Sequence, residues 1–312
     1  MDEESDKFNV TFLILDGHVE LNKYRYLYFM IVFLVYILIF CSNCTIVFLI
    51  WKHQDLHEPM YIFIAALLLN SVLLSANIYP KLLIDFLSEK QIISYQACLV
   101  QYFLFYTLVS SEFLLLAAMS YDRYVSICKP LQYPTIMRKR TIILFLALAW
   151  LLPACQFAGL AIMSSYQKLC TFILKVIFCN NTIYKLFCVT SRAISFFGLF
   201  TLLNAIVLPM FFIIYTYLRI LIICYHSGEI RKRAAQTCLP HLLVLINYFC
   251  LITYEFVTVR LESDFPKTAR LIMTLQLVLY NPLFNPLIYG LKMKGISKHL
   301  KRLFCQHKVN RC

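Results

Sequence analysis

Seven long apolar stretches predict an all-α membrane protein, a seven-transmembrane helix bundle followed by a short amphipathic eighth helix. Composition and span length carry that prediction. Hydrophobic residues make up 61% of the 312 residues and charged residues 14%, with a mean hydropathy of +0.72. A soluble domain is about 45–50% apolar and about 25% charged, so this chain could not cover a water-facing surface. Crossing the hydrocarbon core takes roughly 20 mostly apolar residues. The stretches that meet this length are Tyr26–Trp51, Met60–Phe86, Leu99–Tyr121, Thr141–Met163, Ala193–Tyr225, Cys238–Val257 and Ala269–Leu291. They must be helical, because the bilayer offers no water to open backbone groups. They lack the alternating polarity and the length of barrel strands.

Taken in order, residues 1–25 form an N-terminal tail with no apolar run of signal-peptide length. The first stretch then serves as its own insertion signal. Residues 26–291 hold the seven spans as one unit, and 292–312 form a basic helix and tail. Only six glycines are spread through the chain, which argues against flexible linkers, and there is no internal repeat. The flanks of the first stretch point weakly the wrong way, with Lys23 and Arg25 before it and Lys52 after it. The whole chain points clearly. The side holding the 1–2, 3–4 and 5–6 loops and the C-terminus carries 17 Lys/Arg against 4 Asp/Glu. The other side has 12 against 11, and Glu112 lies within a span. The basic side therefore faces the cytosol and the N-terminus is extracellular. A nucleic-acid partner is the rival reading of the net charge of +13, but these residues flank membrane spans.

Cys98, Cys170, Cys179 and Cys188 lie in outer loops or at a helix mouth, where disulfides persist. Their pairing is open at this point, since four cysteines allow three connectivities. Most of the other nine sit in spans or on the cytosolic side, where a small buried apolar residue is the default. Cys41-x-x-Cys44 has the form of a metal half-site but lies in an apolar helix without a second pair, and reads as packing. No metal site is predicted.

Two motifs carry function. The third span closes on Met119-Ser-Tyr-Asp122-Arg123-Tyr124-Val-Ser-Ile-Cys128. Alone, an Asp-Arg pair at a membrane boundary is often no more than charge snorkelling to the headgroups. The seventh span ends Asn281-Pro-Leu-Phe-Asn285-Pro286-Leu-Ile-Tyr289-Gly290. Asn281, Asn285 and Tyr289 recur every four residues and share one face. Pro282 and Pro286 free backbone carbonyls and allow a kink. A polar, kinked stripe within the bilayer needs partners from the bundle interior.

Asp122-Arg123-Tyr124 and Asn285-Pro286-x-x-Tyr289 resemble the two signature switches of rhodopsin-like (class A) G-protein-coupled receptors. Trp150, Pro209, Tyr217 and Asn43 fall where that family places its landmarks. Four stretches narrow the resemblance to odorant (olfactory) receptors: Leu56-His-Glu-Pro59-Met60-Tyr61, the full run from Met119 to Cys128, Arg233-Ala-Ala-Gln-Thr237-Cys238-Leu-Pro-His241, and Pro286-Leu-Ile-Tyr289-Gly290. The Leu-His-Glu-Pro-Met-Tyr form is nearer to the fish-type branch.

The resemblance implies a plasma-membrane receptor, not an enzyme. It binds a small odorant in the outer half of the bundle, couples to a stimulatory-type heterotrimeric G protein and raises cyclic AMP. A rhodopsin-like receptor for a non-olfactory small molecule is the alternative. The resemblance assigns the activation switch to Asp122, Arg123, Tyr124, Tyr217, His241, Asn285, Pro286 and Tyr289. In the resting state Asp122 holds Arg123, and Tyr217 and Tyr289 offer it new partners on activation. His241 has an equal bland reading as a capped histidine at the membrane boundary. Glu112 is ionisable deep in the hydrocarbon and must be protonated, paired or ion-bound. Relatives hold sodium between this place and a second-helix Asp, but here that position is Ser71, with Asn70 beside it. This departure weakens a sodium site; a polar hub of Glu112, Ser71 and Asn70, or plain structural pairing, are the other readings.

The resemblance also pairs Cys98 with Cys179 and Cys170 with Cys188. Asn9-Val-Thr11 is a glycosylation sequence; Asn180-Asn-Thr182 is hindered by Cys179, and Asn43-Cys-Thr45 lies inside a span. Ile296, Leu300, Leu303 and Phe304 recur at helical spacing among Lys294, Lys298, Lys301 and Arg302, a basic amphipathic helix suited to an anionic leaflet. Cys305 at its end is a palmitoylation candidate, with a plain free thiol as the other reading.

By family register the ligand candidates are Phe105, Tyr106, Val109, Thr201, Thr253 and Phe256. Half of such a set would be core packing in any helical bundle. Phe105 replaces the Asp of amine receptors, and Ala269–Leu291 contains no lysine for a retinal Schiff base. A mostly apolar pocket with a few hydroxyls suits a small volatile ligand. Transporters and channels show repeats or several intramembrane charges, and an enzyme needs converging nucleophile, base or metal ligands; neither pattern is found.

Overall fold

The computed structural model describes residues 11–19, 21–189, 191–224, six positions between 242 and 253, and 266–309; the side chains of 21, 22, 281 and 304–309 are not described. Among the described residues, six helices have the length and apolarity to cross a membrane. The sixth apolar stretch, Cys238–Val257, lies mostly outside the described residues. With it, the chain is a multi-pass bundle of seven spans. The first helix runs Leu21–Lys52, the second Pro59–Leu87, the third Tyr95–Cys128 and the fourth Lys139–Ser165. The fifth is Arg192–Leu202 continued through Leu203–Val207 into Leu208–Cys224, and the seventh is Lys267–Lys292. The first, second, third, fourth and seventh overrun their apolar stretches at both ends, because backbone bonding continues after the hydrocarbon ends. The third overruns furthest. It starts at a Ser94 cap, whose hydroxyl accepts from the Ala97 amide at 3.2 Å, and carries the whole Asp122–Cys128 motif before Pro130 stops it.

Burial is inverted relative to a soluble protein. Ile31, Leu34 and Leu38 of the first helix and Leu148 and Leu151 of the fourth are exposed. Asn43, Asn70, Ser71, Glu112, Asp122 and Asn285 are buried. Such continuous apolar outer faces are stable only against lipid. The third helix is buried along most of its length and forms the axis on which the second, fourth and fifth pack. The fifth holds a wide π turn at Leu203–Val207, ending two residues before Pro209. Proline has no N–H for the carbonyl four residues back, so the regular bond pattern is already broken there, and such bulges cluster at functional sites.

One end of the bundle carries a feature that composition hid. Phe12–Leu15, within the expected tail, forms strand β1 between β2 (Ile92–Ser94, antiparallel) and β3 (Ile173–Leu174, parallel). Leu13 and Leu15 are buried while Phe12 and Ile14 are exposed. Because all four are apolar, the sequence shows no alternation. At Gly17 a Cβ would lie 2.3 Å from the Val176 carbonyl carbon, so the chain passes too close to backbone for any side chain.

At the opposite end, the last helix, Lys294–Val309, turns back under the bundle. Ile296 is fully buried, and a Cβ on Gly295 would meet the Tyr61 hydroxyl at 2.6 Å. Lys294, Lys298, Lys301 and Arg302 remain exposed.

Candidate functional site

The Asp-Arg-Tyr end is built on the last turns of the third helix. Arg123 donates to Asp122 Oδ2 through Nη2 at 2.6 Å and Nε at 3.1 Å. The Asp122 side chain is fully buried, and that of Arg123 is 13% exposed. The second carboxylate oxygen accepts from the Tyr133 hydroxyl at 2.8 Å. Tyr133 begins a single helical turn, Tyr133–Ile136, in the loop after the third helix. Burial, and then the Asp122 charge, push its phenol well above the ordinary value, so it stays a donor. Both carboxylate oxygens are thus satisfied, as a desolvated charge requires. Tyr133 is a residue that sequence reasoning missed: a loop tyrosine has no periodicity to betray it. Tyr124 is half-buried, its ring centroid 6.5 Å from that of Tyr121, and Tyr217 is buried.

Further along the bundle, the seventh helix docks through its two prolines. Pro286 cannot donate to the Pro282 carbonyl, and Asn43 Nδ2 takes that place at 2.8 Å while also donating to the Ile39 carbonyl at 2.8 Å. Asn285 Nδ2 donates to Glu112 Oε1 at 3.0 Å and lies 3.4 Å from Ser71 Oγ. Second, third and seventh helices therefore meet at one polar hub, and Tyr289 is buried a turn beyond it. Asn70 makes its bonds elsewhere. It donates to the Leu108 carbonyl at 2.9 Å and accepts from Trp150 Nε1 at 3.2 Å. Adjacent positions on a helix point about 100° apart, so Asn70 braces the fourth helix while Ser71 reaches the hub.

At the hub Asn285 turns its amide N–H to Glu112, and Ser71 puts a hydroxyl where a second carboxylate would strengthen cation binding.

The disulfide end closes over the third helix. Cys98 joins Cys179 and Cys170 joins Cys188, with Cα separations of 5.4 and 4.9 Å. Gln101 Oε1 accepts from the Cys179 amide at 2.9 Å, and the Tyr106 hydroxyl accepts from the Asn181 amide at 3.0 Å. The Tyr102 and Tyr184 hydroxyls lie 2.5 Å apart. Beneath this roof Phe105 is buried, with ring centroids 4.9 Å from Phe178 and 5.0 Å from Tyr106, and Tyr106 stacks on Phe157 at 5.5 Å. Val109 and Thr201 are buried too. The Thr201 hydroxyl has no hydrogen-bond partner among the described residues, although it lies just before the π turn. Thr253 is exposed. Gln101, Phe178 and Tyr184 were not picked out from the sequence, because only the fold brings the loop onto the helix. Asn180 is buried and its Oδ1 accepts from both the amide and the hydroxyl of Thr182, which leaves this glycosylation sequence inaccessible. His241, Phe256 and Asn9 lie outside the described residues, as does the side chain of Cys305.

A bundle of membrane spans with a buried acid–arginine pair at one end and a disulfide-roofed aromatic cluster at the other defines a multi-pass membrane protein. The profile of the olfactory receptor family matches residues 32–307. Human olfactory receptor 13C9 is 30% identical, with 97% of this chain and 98% of that protein covered. Human olfactory receptor 5H6 is 31% identical, covering 97% and 94%. The chain belongs to the olfactory receptor family of G-protein-coupled receptors.

Proposed function

We propose that this odorant receptor takes a small, mostly apolar ligand beneath the disulfide roof and activates a stimulatory heterotrimeric G protein, raising cyclic AMP. The observation that carries the reading is the juxtaposition on one continuous helix. The third helix bears Phe105 and Tyr106 in the roofed aromatic cluster and Asp122-Arg123 at its other end. The 18 residues from Phe105 to Arg123 span about 27 Å at 1.5 Å per residue. Phe105, Tyr106 and Val109 supply apolar and aromatic contact, and the Thr201 hydroxyl supplies one polar anchor. Thr253 and Phe256 remain candidates by family register alone.

The ligand acts by preferring one of two arrangements. In the resting one, Arg123 is neutralised by Asp122, itself steadied by Tyr133. In the active one, Arg123 leaves Asp122 for the hydroxyls of Tyr217 and Tyr289, as the fifth, sixth and seventh helices shift and open a crevice for the G protein. His241 and Tyr124 belong to the same switch. Pro286 permits the seventh helix to move, since the helix there carries one fewer backbone bond. The basic side faces the cytosol, with the N-terminus outside the cell and Asn9 as its glycosylation site. The last helix lies on the anionic leaflet, with Cys305 as a palmitoylation site.

A cyclic-AMP reporter screen against a broad odorant panel tests this, with Arg123→Ala as control. At least one odorant should raise cyclic AMP in wild type and not in the variant at equal surface expression. Responses of equal size in both would overturn the role given to Arg123. The hub reading is tested separately: agonist affinity should be indifferent to sodium in wild type and in Glu112→Gln. A sodium effect in wild type that is lost in the variant would install the ion instead.

A further inference from the structure

We infer that His53, Asp55 and His299 form a binding site for a divalent transition-metal ion, of the zinc type, linking the first loop to the last helix. These residues belong to neither the ligand cluster nor the switch. They are 246 residues apart at the extremes, so no spacing motif joins them, and the fold alone brings them together. His299 Nε2 and Asp55 Oδ2 are 2.8 Å apart. The imidazoles of His53 and His299 stack with centroids 3.8 Å apart and planes 24° from parallel. One ligand-capable atom from each of the three residues falls within 4.8 Å of the other two.

The donor set suits the ion. Two imidazoles and one carboxylate are a borderline nitrogen–oxygen set of the kind zinc takes, with a fourth position for water. Bonds of about 2.1 Å in a tetrahedron put ligand atoms about 3.4 Å apart, so the widest pair here has to close by up to about 1.4 Å, the hydrogen-bonded His299–Asp55 pair has to open by about 0.6 Å, and the stacked rings have to splay. The local architecture allows that closure. His299 is buried on the rigid last helix, whereas His53 is half-exposed where the first helix ends, and Asp55 is exposed on the following turn. The anchored ligand stays and the two loop ligands swing. Lys52 and Arg302 lie near this cluster and oppose any cation by charge. That opposition favours an ion held by directed coordinate bonds over a hard cation such as calcium or magnesium, which prefers an all-oxygen shell.

The consequence is mechanical. Gly295 packs against Tyr61 and Leu56, so an ion at this place would staple the first loop and second helix to the last helix, directly beside the Asp-Arg-Tyr end.

The test uses full-length receptor in detergent, stripped with chelator and titrated with zinc chloride against a chromophoric zinc indicator. Other cysteines and histidines bind zinc as well, so the readout is a difference. Wild type should bind one equivalent more than His53→Ala or His299→Gln, and Asp55→Asn should weaken that equivalent at least about tenfold, since even the outer partners of metal ligands are worth about 10–100-fold. His57→Ala, on the same loop but outside the set, should retain it. Zinc should raise the thermal midpoint of wild type and His57→Ala more than that of His53→Ala. Equal equivalents in wild type and His53→Ala would overturn the site. His53 is half-exposed and makes no side-chain hydrogen bond among the described residues, so this variant keeps the test decisive should His299→Gln fold poorly.

Discussion

The two ends of the bundle are held by different kinds of bond. At the disulfide end, two covalent bridges, a three-stranded sheet and a cage of Tyr102, Tyr106, Phe105 and Phe178 fix one arrangement. At the other end two guanidinium hydrogen bonds and one phenol hydrogen bond do the holding, and within the bundle between the ends the Asn43 and Asn285 amides add theirs. Hydrogen bonds can be exchanged for others at small net cost, whereas disulfides cannot. A receptor that reports at one end what it binds at the other needs this inequality. The binding end keeps its shape, and the signalling end has alternatives.

Perturbing the fixed end should therefore damage stability. In the chain-entropy account, opening the bridge of sequence separation 81 costs about 4.5 kcal/mol and the one of separation 18 about 3.2 kcal/mol. Cys98→Ser should lower the thermal midpoint of detergent-purified receptor more than Cys170→Ser. The reverse order would mean that the short bridge carries the roof. Asn43→Ala leaves the Pro282 carbonyl without its cross-helix donor and should cost about 1–3 kcal/mol, read as a lower midpoint. An unchanged midpoint would show that this amide does not dock the seventh helix.

Perturbing the exchangeable end should instead shift signalling. Tyr133→Phe removes one donor to a charged carboxylate, a bond worth about 1.5–3 kcal/mol. Basal cyclic AMP should rise, by about tenfold or more if the bond is lost only from the resting arrangement, while surface expression stays level. A fall in basal output would assign Tyr133 to the active arrangement instead.

The smallest effect belongs to the strand that closes the disulfide end. His18, just past β1, packs its ring edge-on to Phe86, and burial lowers its pKa below the ordinary 6.5. The unfolded segment then takes up a proton more readily than the folded one. Stability is whole above about 6.5 and falls as pH drops through that value. Amide exchange at Leu13–Leu15 should be faster at low pH after correction for intrinsic rates, and His18→Gln should flatten the dependence. A pH-independent corrected rate in wild type would remove His18 from the account.

The spans were legible because composition and length write them directly into the sequence, and Asp122, Arg123, Asn285 and Tyr289 because polar residues in an apolar run stand out. What escaped has a common cause. β1 is apolar on both faces, so its alternation shows only when neighbours bury Leu13 and Leu15. Tyr133, Gln101 and Tyr184 are ordinary polar or aromatic residues whose partners lie on other segments. Ser71 and Asn70 were joined by adjacency, yet a helix turns them onto different neighbours. His53, Asp55 and His299 come from opposite ends of the chain. Residues whose meaning is a contact cannot be read before the contact exists.

The restraint of Arg123 is tested most directly by basal cyclic AMP in cells expressing Asp122→Asn at the same surface level as wild type. Removing the carboxylate charge should raise basal output clearly, and by more than Tyr133→Phe does. A basal level equal to wild type would contradict the account, since the arginine would then be held by something other than its neighbour.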